Sequence, residues 1–147
     1  MIVLDTTILV YAKGTEHPLR APCRALIEAV AGGTLDATTT PEVIQEFVHV
    51  RTRRRGRKDA AELGRSFIEL LAPLLVVTQG HLAAGLRLFE RHAQLGAFDA
   101  VLAAAAIDGG AEALVSVDSA FGEVHSVRHV VPGTRAFDRL LSSPPRN

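Results

Sequence analysis

Four acidic residues, Asp5, Glu46, Asp99 and Asp118, stand far apart in the sequence but at related structural positions. Asp5 directly follows the apolar run Ile2-Val3-Leu4, and Asp118 follows Ala113–Val117. Each therefore ends a short, apolar strand of the kind buried in parallel sheets. Glu46 falls early in a helix opened by Thr40-Pro41, and Asp99 in the first turn of a helix beginning at Phe98. Strand carboxyl ends and the helices that follow them share one edge of a parallel sheet, where ligands bind. The four carboxylates are thus expected on that edge. Like charges about 4 Å apart repel by about 1 kcal/mol even in water, so the cluster calls for a cation. Carboxylate oxygens select hard ions such as Mg²⁺ or Mn²⁺. Such ions activate water and stabilise phosphoryl oxyanions, which points to metal-assisted phosphodiester hydrolysis.

Each acid also has a plainer role open to it. Asp5 could cap a turn, and Asp118 could cap the segment 119–123. Asp99 could simply favour a helix N-terminus, and Glu46 could be a solvated helix residue. The conjunction of the four favours a site. Neighbouring acids sharpen the selection. Asp108 lies nine residues after Asp99; at about 100° per residue it occupies the opposite helix face. Glu42 and Glu46 share a face, but Glu42 sits in the first helical turn, where an acid is favourable anyway. Glu46 is preferred because Phe47 anchors it to the body.

The elements that must carry these residues alternate. Strands are expected at 2–4, 35–38, 74–78, 113–117 and 130–131, with 74–78 the most strand-like after the first. Helices are expected at 17–30, 41–55, 59–71, 81–94 and 98–108. Gly32-Gly33, Gly56, Pro73 and Gly109-Gly110 mark the stops. This alternation predicts an α/β fold with a mostly parallel sheet covered on both faces. One domain over residues 1–141 is expected, with 142–147 a disordered tail rich in Ser and Pro.

Composition is that of a globular chain: 147 residues, 48% hydrophobic, 22% charged, with 16 basic and 16 acidic residues. No apolar run approaches the roughly 18 residues of a membrane span, and no signal-peptide pattern opens the sequence. The single cysteine, Cys23, admits no internal disulfide, which fits a reducing cytoplasm. The six histidines show no paired metal spacing. GxSxG and Walker A patterns are absent, and Thr7 stands where a DxDxT phosphatase needs its second acid.

In order and spacing, MIVLDTTILVYA, PEVIQEFVHV, AFDAVLAAAA and ALVSVDSAF resemble the four motif blocks of PIN-domain nucleases. The likeness is nearest to the VapC toxins of bacterial VapBC toxin–antitoxin pairs, and it covers most of the chain. It implies a three-layer α/β/α fold and Mg²⁺- or Mn²⁺-dependent endoribonuclease activity. It also implies a homodimer inhibited by a small VapB-like antitoxin. By position, Asp5, Glu46, Asp99 and Asp118 are the family's acids, with Asp5, Asp99 and Asp118 expected on the metal. The family places Ser or Thr two residues before its last acid, and Ser116 fits. Ser116 and Asp118 share a strand face, so the hydroxyl could support the metal ligands. Thr7 stands where the family often has Asn or Ser, and Thr6 is a second candidate supporting hydroxyl. The alternative is a catalytically silent RNA-binding or regulatory domain that kept the fold.

One charge run stands out. Arg51, Arg53, Arg54, Arg55, Arg57 and Lys58 fall within eight residues, and without them ten basic residues face 16 acidic ones. Such a patch could contact RNA phosphates beside the acidic site. It could instead dock an acidic antitoxin segment, or be a solvated helix end.

Overall fold

The computed structural model describes residues 1–142. Its centre is β1 (Ile2–Leu4), whose three residues are all fully buried. Successive strand residues face opposite sides of a sheet, so both faces here are covered. β2 (Ala37–Thr38) and β3 (Ala113–Val115) flank β1, and β4 (His129–Val130) pairs with β3. The order is β2-β1-β3-β4, with every pairing parallel. All four strands therefore end on one edge. The register sets Leu4 opposite Val115, so Asp5 and Ser116 leave the sheet side by side.

Among the described residues seven helices complete a three-layer α/β/α fold: α1 (Thr6–Ala12), α2 (Arg20–Ala31), α3 (Pro41–Arg55), α4 (Arg57–Leu71), α5 (Gln79–Arg91), α6 (Ala97–Asp108) and α7 (Arg135–Ser142). A short 3₁₀ turn covers Ser119–Glu123. α1 packs on α2 and α3, α3 lies along α4, and α5 lies along α6. Close approach of the last pair requires a glycine. A Cβ on Gly85 of α5 would sit 2.7 Å from the Cα of Val101 in α6. No helix among the described residues is long and apolar enough to cross a membrane.

Several expected elements need correction. The run 74–78 is not a strand. It is joined to the end of β2 by the Leu75 N–H to Thr39 carbonyl bond, 2.9 Å, and by the Thr38 hydroxyl donating to the Pro73 carbonyl. Pro73 can donate nothing to a ladder, and Val76 is 72% exposed, so the apolar run lacks the burial of a sheet strand. α1 is absent from the expected helices: Thr6, Thr7, Ile8 and Val10 are β-branched and disfavour helix. Tertiary context decides: Asp5 caps the helix by accepting from the Thr7 N–H, and Ile8, Leu9 and Ala12 are buried. α7 is likewise absent from the expected helices; it buries Phe137 and Leu140. β3 stops at Val115 rather than Val117, and β4 covers 129–130 rather than 130–131. α2 starts at Arg20 rather than His17. α5 spans 79–91 rather than 81–94, with Thr78 and His81 closing a capping box. Ser142 ends α7; the rest of the expected tail, residues 143–147, lies outside the described residues.

Candidate active site

Asp5 is built first, by the abrupt passage from β1 into α1. It is only 4% exposed. Its Oδ2 accepts from the Thr7 hydroxyl (2.7 Å), the Ser116 hydroxyl (2.7 Å) and the Thr7 N–H (3.3 Å). Both hydroxyls are themselves oriented. That of Thr7 accepts from the Val117 N–H at 3.1 Å, and that of Ser116 from the Asp118 N–H at 2.9 Å. A hydroxyl has one proton, so accepting a backbone N–H leaves that proton for Asp5. The caps of β1 and β3 are thereby bonded to each other through one carboxylate oxygen. Oδ1 takes part in none of these bonds. The plain capping role and the site role of Asp5 coexist, one on each oxygen.

The other acids are held from different elements. Glu46 projects from α3, and its Oε2 accepts from the Thr6 hydroxyl at 2.6 Å. Asp118 caps the 3₁₀ turn, its Oδ1 accepting from the Ala120 N–H at 2.9 Å. Asp99 lies in the first turn of α6. Its carboxylate folds back over Gly96, where an added Cβ would stand 3.0 Å from Oδ2. Asp5, Glu46, Asp99 and Asp118 line one cleft of about 560 Å³. Burial, then the carboxylates of Asp5, Asp118 and Glu46, push the Asp99 carboxyl up to about 6 from an ordinary 3.8. None of the four belongs to an ion pair among the described residues. Hydrogen bonds satisfy part of each of Asp5, Glu46 and Asp118, and no basic side chain among the described residues is paired with any of the four.

This donor set of hard oxygens, crowded and lacking a cationic partner, suits a divalent ion. Among the described residues no three His, Cys, Asp or Glu side chains already stand as a ligand set for one ion. Asp108 is exposed and bonds His81 Nε2 at 2.9 Å, away from the cleft. Glu42 does not line the acidic cleft. It lines a neighbouring, largely apolar groove of about 490 Å³, which shares Asp5, Glu46 and Asp99 and is walled by Leu82, Leu86 and Phe98.

The basic run divides. Arg54 lines the acidic cleft. It also lines an adjoining cleft together with Arg51 and Arg55. The Arg51 guanidinium is engaged: Nε and Nη2 donate to Asp59, and Nη1 donates to the Lys13 carbonyl at 2.7 Å. Arg53, Arg57 and Lys58 line neither cleft. Sequence reasoning overlooked Gly96 and the cleft residues Tyr11 and His17. Only Gly96 left a signal, as a glycine three residues before an acid at a helix start.

The parallel α/β/α sheet with carboxylates at its carboxyl edge has a known counterpart: the sequence profile of the PIN domain family matches residues 2–126. Ribonuclease VapC7 of Mycobacterium tuberculosis is 54% identical over 145 residues, covering 96% of this chain and 98% of its own. Ribonuclease VapC23 of the same species is 30% identical over 99 residues, covering 67% of this chain and 78% of its own. The crystal structure of the M. tuberculosis sarcin–ricin-loop-cleaving toxin VapC20 superposes with a TM-score of 0.72 at 16% identity, covering 85% of this chain and 95% of that one. VapBC2 from Rickettsia felis, solved on a DNA fragment from its promoter, gives 0.69 at 19% identity, covering 90% and 99%. The chain belongs to the VapC ribonucleases of the PIN-domain family.

Proposed function

We propose that this VapC ribonuclease is a toxin that cuts RNA internally with Mg²⁺ or Mn²⁺, held by Asp5, Asp99 and Asp118. The observation that carries the reading is the cleft of four carboxylates without an ion-pair partner, in which burial and three neighbours push Asp99 up to about 6. The chemistry such an ion supplies when bound is activation of water and neutralisation of charge on phosphoryl oxygens. The chain's residues prepare for it. Thr7 and Ser116 occupy Oδ2 of Asp5 and leave Oδ1 for the cleft. Thr6 occupies Oε2 of Glu46, leaving Oε1 to accept a proton from the attacking water. Arg54 lines the same cleft and would meet a phosphate of the incoming strand.

The VapBC relative supports a VapB-like antitoxin as the partner that silences the site. We further infer a homodimer acting in the cytoplasm. The test is cleavage of RNA with Mg²⁺, with EDTA, and by Asp5→Asn. Activity should vanish in both latter cases while the variant stays folded. Cleavage that persists in EDTA would overturn the metal assignment. An Asp5→Asn protein cutting at the wild-type rate would overturn the site. A wild-type protein that binds RNA but never cuts it would instead favour a silent RNA-binding domain.

A further inference from the structure

Beyond the carboxylates, the acidic cleft carries two flat rings. Tyr11, the only tyrosine in the chain, and His17 both line it. Their ring centroids lie 4.7 Å apart with planes inclined at 40°. Tyr11 is half-buried on α1, six residues after Asp5, and His17 is exposed on the loop that leads to α2. That loop is pinned rather than free. His17 Nδ1 accepts from the Leu19 N–H at 3.1 Å, and the Arg20 N–H bonds the His17 carbonyl at 3.0 Å. The loop's start is held by Arg51, which donates to the Lys13 carbonyl while paired with Asp59. With Nδ1 accepting, the ring proton sits on Nε2, and that nitrogen bonds no other described residue. A pinned pair of rings with one free donor, beside carboxylates and Arg54, matches what an unpaired nucleobase requires: a π-face and an edge contact.

We propose that Tyr11 and His17 form a nucleobase-binding subsite, seating an unpaired base of the RNA next to the phosphate held over the acidic cluster. This rests on the ribonuclease reading and adds a determinant of which single-stranded position is cut. Arg54 and any cation held by the acids would meet the phosphates; the rings supply the contact that depends on a base being present. Arg51 acts through the loop as a positioning residue.

The test uses the full-length protein with Ca²⁺ in place of Mg²⁺, so that the acids still hold a cation, and single-stranded RNA oligonucleotides carrying 2-aminopurine at successive positions. Stacking should quench the probe at one position, adjacent to the bond that is cut when Mg²⁺ is restored. Tyr11→Ala should abolish that quenching and weaken binding by about tenfold, the order expected of one base–aromatic stack. Tyr11→Phe should retain both, and the exposed His17→Ala should lose part of each, which covers the case of a Tyr11→Ala protein that folds poorly. An abasic residue at the same position should weaken wild-type binding equally and make Tyr11→Ala no worse. If folded His17→Ala and Tyr11→Ala proteins quench and bind as the wild type does, the subsite is refuted. The ribonuclease reading fails separately, through the Asp5→Asn and EDTA controls.

Discussion

Removing the charge of Asp99 should stabilise the metal-free protein, and by an amount that depends on pH. Its carboxyl rises from 3.8 to about 6 in the fold, because burial and then Asp5, Asp118 and Glu46 disfavour the ionised form. The folded state thus holds the proton more tightly than the unfolded chain. The resulting destabilisation is complete above about pH 7 and is relieved as pH falls through 6 towards 4. A shift of about two units corresponds to roughly 3 kcal/mol at most. Solvent screening in an open cleft reduces this, and Asp99→Asn also forfeits an acid in the first turn of α6. A net gain of roughly 1–2 kcal/mol remains, or a rise of about 2–8 °C in Tm for a chain of this size. Thermal melts of wild type and Asp99→Asn in EDTA would measure it at about pH 8, 5 and 4, the gain halving near pH 5 and nearly vanishing near pH 4. Mg²⁺ should then raise the wild-type Tm more than that of the variant. An Asp99→Asn protein less stable than wild type at pH 8 in EDTA would refute the reasoning. So would a gain of equal size at all three pH values.

Thr7→Val removes a donor from Asp5 and leaves the Val117 N–H without its acceptor; urea melts should show a loss of roughly 1–3 kcal/mol, with Thr7→Ser restoring most of it and the cleavage rate. Gly85→Ala drives a Cβ to within 2.7 Å of the Val101 backbone; it should cost about 1–3 kcal/mol by prising α5 from α6, read by the same melts, with Gly80→Ala, whose Cβ meets only the Thr78 hydroxyl at 3.5 Å, as the control on the same helix. Arg51→Ala should return the Asp59 carboxyl, held low chiefly by its hydrogen bond to Arg51, towards its ordinary range; an NMR titration of Asp59 would detect the rise.

The sequence discloses an acid best where the chain changes state. Asp5 and Asp99 are visible because one ends an apolar run and the other opens a helix. Choosing Glu46 over Glu42 is possible from Phe47, yet the observation that distinguishes them, the Thr6 hydroxyl bond, depends on how α1 meets α3. α1 itself is hidden because its β-branched residues prefer strands, and only the Asp5 cap and the buried Ile8 and Leu9 override them. The run 74–78 misleads in the opposite sense: its residues suit a strand, but Pro73 and exposure at Val76 keep it out of the ladder. The Thr7–Ser116 convergence on Asp5 joins residues 109 apart in sequence and follows only from the Leu4–Val115 register. Local patterns carry no signal for such a pairing. The Arg51–Asp59 pair likewise removes one arginine from a basic run that reads as uniform.

The register also sets when the site comes into being. β1 is made first but lies between β2 and β3, and Ser116 and Asp118 emerge more than a hundred residues after Asp5. Until β3 is synthesised, one edge of β1 has no ladder partner, and Asp5 lacks the Ser116 hydroxyl. A chain stalled on the ribosome between residues 99 and 113 therefore carries three of the four acids without the strand that brings the fourth to them. The four carboxylates can therefore share one cleft only once the last quarter of the chain has been made.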